Sequence, residues 1–172
     1  MIKNKKVAYI LIGIIIVVGI VIDLLTKVFF ANYYNNVGED IVVIPNFFIF
    51  TFVKNTGAAY GMFSGSVIPL IIISVLMIIA FIVYDVFNHS NDIFYVLGFS
   101  FIISGAIGNL IDRIFLGYVR DFISIKLFNF IFNVADIFVT VGMVLFVIHL
   151  IKSMVKQEKE KKSKEKSNDL EK

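Results

Sequence analysis

The chain has 172 residues, 59% of them hydrophobic and only 17% charged, with a mean hydropathy of +0.90 and a net charge of +3. Soluble domains sit near half apolar and a quarter charged, so this excess of apolar residues marks an integral membrane protein. The absence of cysteine excludes disulfide scaffolds, thiol catalysis and Cys-based metal sites, and two histidines, His89 and His149, leave little for a His-rich metal centre or a Ser-His-Asp triad.

A helix that crosses about 30 Å of hydrocarbon needs about 20 mostly apolar residues. The first such stretch covers residues 7–31. Lys3, Lys5 and Lys6 give it the charged start of a secretory leader, but the apolar run exceeds a leader's and no A-x-A site follows, so it reads as a span. Residues 41–53 (I-V-V-I-P-N-F-F-I-F-T-F-V) are apolar, β-prone and aromatic, the composition of short strands lying at a membrane surface. K-N-T-G-A-A-Y-G follows, where Asn55, Gly57 and Gly61 suit a tight turn. Further spans are expected at about 67–84, 93–111 and 134–151, with a second β-prone segment, D-F-I-S-I-K-L-F-N-F-I-F-N, before the last. The spans lack the period-2 alternation of barrel strands, and lipid admits only helices otherwise. The expected fold is therefore an all-α membrane protein of four transmembrane helices carrying a small extracytoplasmic β-rich platform.

Four spans put both termini on one side, and the lysines before span one and after span four place that side in the cytoplasm. Residues 1–151 then form one membrane domain and 152–172 a charged cytoplasmic tail. Segments 32–66 and 112–133 face outward. Glu158, Glu160 and Glu165 interrupt the tail's lysines, so nucleic acid is not an expected partner; membrane lipid is.

Polar residues gather where the spans meet the outward segments. Asp23 follows about 24 Å of apolar helix and lies near the outer edge of the hydrocarbon. Lys27, at i+4, shares its face and can pair with it. Span three ends G-A-I-G-N-L-I-D-R, with Asn109 and Arg113 at i, i+4 and Asp112 at the surface, where it reads as a boundary pair with Arg113. Span four opens F-N-V-A-D, with Asn133 and Asp136 on one face of its first turn, and Asp121 lies between the two spans. Charge in a span pairs or serves a function; Asp136 is open to both readings, since a helix N-terminus also stabilises a carboxylate. His149 reads as a helix-packing residue, His89 as solvated, Ser74 and Ser100 as interhelical hydrogen-bonding residues, and Gly98, Gly105 and Gly108 as close-packing positions.

Five segments in register, D-L-L-T-K, K-N-T-G-A-A-Y-G-M-F, G-A-I-G-N-L-I-D-R, R-D-F-I and F-N-V-A-D-I-F-V-T-V-G, resemble the bacterial lipoprotein signal peptidases (signal peptidase II). The likeness covers nearly the whole chain before the Lys/Glu tail. It implies an aspartic endopeptidase of the cytoplasmic membrane that needs no cofactor or metal. Such an enzyme removes the signal peptide from diacylglyceryl-modified prolipoproteins just before the lipobox cysteine. It implies Asp121 and Asp136 as the catalytic pair, Asn55, Asn109, Arg113 and Asn133 around them, and Asp23 with Lys27 as support from span one. A monomer, blocked by cyclic lipopeptides of the globomycin type, is expected. Two residues depart from the family pattern: Ser104 stands where a glycine is usual, and Arg120 where an apolar residue is commoner.

Two carboxylates suffice for peptide hydrolysis when one is ionised and one protonated around a shared water. Rival readings draw on the same residues. A serine/lysine peptidase would use Lys27 as base, but Ser64, Ser66 and Ser124 are loop residues with no evident place beside it. A proton-coupled transporter would bury Asp23, Asp136 and Arg113 but would want polar residues at mid-bilayer and an internal repeat. A non-enzymatic scaffold would tolerate Asp→Asn at both positions.

Overall fold

The computed structural model describes residues 2, 4–57, 66–127 and 130–170. Four helices, α1 (Lys5–Val37), α2 (Ile68–Asn88), α3 (Ile93–Leu116) and α4 (Val134–Leu170), are long and apolar enough to cross a membrane. Strands β1 (Ile41–Ile44), β2 (Phe48–Asn55), β3 (Val119–Ile125) and β4 (Ile131–Phe132) form one antiparallel sheet in the order β1-β2-β3-β4. The protein is a multi-pass membrane protein with a small sheet at one end of its bundle.

The helix ends follow from local chemistry. The Asn4 carboxamide oxygen accepts the Lys6 N–H at the start of α1, and Asp92 accepts that of Phe94 at the start of α3, satisfying donors the first turn leaves over. α1 and α3 stop at Gly38 and Gly117, at φ +73° and +75°, the left-handed closure glycine provides. α1 and α4 therefore outrun the apolar stretches that announce them, α4 as an exposed Lys/Glu helix held by i, i+4 pairs such as Glu158–Lys162.

α3 is the central helix, 61% buried over its most apolar window against 22% or less for the other three. Its small residues permit this. A Cβ on Gly98 would meet the Phe146 backbone nitrogen at 2.8 Å, and one on Gly105 would strike the Ala135 carbonyl oxygen of α4. Gly19 of α1 packs against Ser104, so the serine occupies the crossing itself. In a bilayer, where burial gives helices no hydrophobic drive, such close approach is what associates them. Gly105→Ala is expected to lower stability by about 1–3 kcal/mol. Gly13, with open space around its Cα, should accept alanine without loss. Thermal unfolding in detergent micelles distinguishes the two.

Near the termini the core is Ala8, Ile12, Tyr95, Val96, Phe99, Ile102, Ile103 and Phe146. At the other end the sheet is clamped to α1 by aromatic rings: Phe30 stacks on Phe122 at 4.3 Å and packs against Phe50 at 4.6 Å. Pro45 and Asn46 turn β1 into β2, Asn46 at φ +61° and Phe47 N–H donating to the Ile44 carbonyl, as in a type II turn. The β2–β3 register sets Val53 opposite Asp121 and Asn55 opposite Val119. That pairing brings the end of β2 to the mouth of the helix bundle.

Candidate active site

The site assembles where α1 and α3 end and α4 begins. Asn133 caps α4 reciprocally: its Oδ1 accepts the Asp136 N–H at 3.1 Å, and Asp136 Oδ2 accepts the Asn133 N–H at 3.1 Å. This is a capping box built from Asn and Asp. The Asn133 amide is thereby oriented, and its Nδ2 donates to Asp121 Oδ1 at 2.6 Å and to Asn109 Oδ1 at 3.1 Å. Asn55 Nδ2 donates to the other Asp121 oxygen at 2.7 Å while its Oδ1 accepts the Gly57 N–H in an Asx turn.

Asp121, on β3, is 2% exposed. Burial pushes its carboxyl up to about 7, and the nearby Asp136 charge adds to the rise, against the donors from Asn55 and Asn133 and the positive Lys27. Asp136 is half-buried and opens on a cleft of about 320 Å³ between α2, α3 and α4. Ile73, Met77, Val139 and Met143 give the cleft apolar walls, and Ser74, Asn109, Arg113 and Thr140 line its polar part.

Behind the two aspartates lies a buried ionic network. Lys27, fully buried, donates to Asp23 Oδ2 and to Asn109 Oδ1, each at 2.8 Å, and lies 3.8 Å from Asp112 Oδ2. Asp23 Oδ1 accepts the Ala135 N–H, tying α1 to the first turn of α4. Gly108 leaves room for that carboxylate, which a Cβ there would strike. Lys27 also decides how Asn109 points. With Oδ1 held by the ammonium, its Nδ2 faces Asp136 and donates to Oδ1 at 2.8 Å. Arg113 interacts electrostatically with Asp136, Asp121 and Asp112 and reaches Ser74 Oγ at 3.4 Å, while its Nε is buried with no hydrogen-bond partner among the described residues.

The charges can be counted. Asp23, Asp112, Asp121 and Asp136 face Lys27, Arg113 and Arg120, four acids against three bases among the described residues. A single proton on the Asp121–Asp136 pair makes the cluster neutral, the state a low-dielectric site favours.

All eight residues singled out from the sequence, Asp23, Lys27, Asn55, Asn109, Arg113, Asp121, Asn133 and Asp136, come together here. Gly61 and Ser64 lie outside the described residues. Four local expectations are corrected. Asp112 is not at the surface: it is 1% exposed and accepts from Arg120 through the backbone N–H at 3.0 Å, Nε at 3.1 Å and Nη2 at 2.6 Å. It therefore pairs with Arg120 rather than with Arg113, because Gly117 turns the chain back on itself and brings Arg120 over the end of α3. Ser100 donates within its own helix, to the Val96 carbonyl. His89 is not solvated; its ring stacks on Tyr9 at 4.1 Å and bonds Asp85 at 2.7 Å.

Comparison with known proteins bears on these residues together. The family model described as signal peptidase (SPase) II matches residues 15–152. The chain is 41% identical to the lipoprotein signal peptidase of Clostridium novyi over 81% of its own length and 96% of that protein's. It is 45% identical to that of Clostridium tetani, over 81% and 91%. Two solved structures described as bacterial membrane enzymes superpose with TM-scores of 0.72 and 0.73 at 33% and 34% identity, covering 83% and 82% of this chain and 88% and 92% of those.

Proposed function

The chain belongs to the signal peptidase II family, and from that premise we propose that it is an aspartic endopeptidase whose Asp121 and Asp136 share one proton and one water. It takes prolipoproteins already bearing a diacylglyceryl group and cuts just before the lipobox cysteine. The observation that carries this reading is the Asn133 amide bridge. One side chain donates to Asp121 and caps Asp136, tying a buried acid to the one that lines the cleft.

In the reaction, ionised Asp136 takes a proton from water as it attacks the scissile carbonyl, and protonated Asp121 donates to the carbonyl oxygen as it becomes tetrahedral. Asn109 and Asn133 keep the carboxylates in register, and Arg113, on the polar wall of the cleft, binds the substrate backbone. The apolar walls receive acyl chains, each buried CH₂ contributing about 0.8 kcal/mol to positioning. Both termini lie in the cytoplasm by the positive-inside rule, which sets the sheet and the dyad near the outer face, where a translocated lipobox emerges. The enzyme works as a monomer, and globomycin-type cyclic lipopeptides occupy the same cleft.

The test is incubation of the purified protein with diacylglyceryl-modified and unmodified precursor side by side. Cleavage of the modified form alone, before cysteine, is the expected result; equal cleavage of both would refute the substrate assignment. The pH dependence has a definite sign. Asp121 must hold its proton to act as an acid and loses it as pH rises through about 7, so the rate falls on the alkaline side of that value.

A further inference from the structure

The proposed mechanism gives no role to Arg120, a half-buried charge. Arg120 sits beside Asp121 and spends three donors on Asp112, where an apolar side chain would leave only the backbone N–H. We propose that Arg120 is a positioning residue for this reaction: its fork neutralises Asp112 and so keeps Lys27 on Asn109, whose amide holds Asp136. This inference rests on the aspartic-dyad reading above.

The geometry sets a competition for one ammonium. Lys27 is in hydrogen-bond contact with Asp23 and Asn109 at 2.8 Å and stands off Asp112 at 3.8 Å. The stand-off is stable because both Asp112 oxygens are taken, Oδ1 by Nη2 and Oδ2 by Nε and the backbone N–H. A bidentate, charge-assisted pair of this kind is among the strongest a side chain makes. Without it Asp112, 1% exposed, keeps a nearly unneutralised charge and attracts the nearest cation. That cation is Lys27. Its departure frees the Asn109 carbonyl, and with it the orientation of the Nδ2 that donates to Asp136.

Loss of Arg120 also removes one positive charge from the cluster. The groups that act on Asp121 are Asn55 from β2, Arg113 from α3, Asn133 and Asp136 at the head of α4, and Lys27 from α1. Lys54, opposite Arg120 in the β2–β3 register, is no substitute, because its ammonium lies over the Tyr118 ring at 5.3 Å. The cluster then carries four acids against two bases, and Asp121 keeps its proton to higher pH.

The experiment measures cleavage of diacylglyceryl-modified precursor against pH for wild type, Arg120→Met and Arg120→Lys in detergent, with unfolding temperatures alongside. Arg120→Met should lower kcat about tenfold with KM within about twofold, and move the alkaline limb up by about half a pH unit to one unit. Arg120→Lys, which keeps the charge and loses the fork, should lower kcat less and leave the limb in place. The inference is overturned if the Met variant's profile superposes on wild type, or if Lys shifts the limb as far as Met. A change in unfolding temperature alone also overturns it, by assigning Arg120 to the fold. Asp136→Asn serves as the parallel control. If that variant still cleaves, the dyad reading fails instead; if it is inactive while Arg120→Met is unshifted, only the role of Arg120 is lost.

Discussion

Asp136→Asn is expected to lower kcat by about 10⁴-fold, and Asp121→Asn by a similar factor, because the two act as a unit and neither amide can accept or deliver the proton in flight. The protein should nonetheless fold. At position 136 the amide NH₂ would face donors, since Oδ1 and Oδ2 accept from Asn109 and from the Asn133 N–H. One lost hydrogen bond at a helix cap costs about 1 kcal/mol. At position 121 the donors are Asn55 and Asn133, and the same order of loss applies. That loss is opposed by removal of a carboxyl that burial holds above its ordinary range. Such a group binds its proton more tightly folded than unfolded, so wild-type stability declines from the ordinary carboxyl range up to about 7, and Asp121→Asn is spared that decline. Cleavage assays paired with unfolding curves at pH 5 and 8 check both halves. Substantial turnover by either Asn variant would leave the dyad without support.

Lys27→Met is the second large effect, and it differs in kind. The ammonium is fully buried between Asp23 and Asn109, so truncating it strands the Asp23 carboxylate, 0% exposed, while Asp112 keeps its pair with Arg120. Breaking a buried pair by removing one partner costs about 3–5 kcal/mol. Activity should fall beyond what unfolding explains, because Asn109 is then free to turn its amide and release Asp136. Thermal unfolding and cleavage measured on the same preparation test this. A Lys27→Met protein as stable as wild type would mean the site does not depend on that charge. The double variant with Asp23→Asn should recover part of the stability but not the rate.

Much of this arrangement was legible in the chain, and the reason is locality. Spans announce themselves by twenty-residue apolar runs, and the strands by β-branched and aromatic residues. Asp23–Lys27 and Asn133–Asp136 are pairs at i+4 and i+3, which helical geometry alone brings together. Recognition of the five segments as a set added what spacing could not, the expectation that Asp121, on a strand, meets Asp136, on a helix. The residues that misled are those whose surroundings arrive from elsewhere. Asp112 sits near a helix end and reads as surface until Gly117 folds Arg120 back over it. His89 follows an exposed helix end, and Tyr9, eighty residues earlier in the chain, is what covers it. A glycine five residues past Asp112, with an arginine three residues later, was the available signal for the first. No local signal existed for the second.

The proposed mechanism requires one proton held between Asp121 and Asp136, and infrared difference spectroscopy of the purified protein titrated from acid to alkaline pH observes it directly. A carboxylic-acid carbonyl signal should vanish with a midpoint near 7. It should be missing in Asp121→Asn and move to lower pH in Asp136→Asn, where the repelling charge is gone. A titration that shows no carboxylic acid lost in that interval, or one indifferent to both substitutions, would contradict the mechanism at its root.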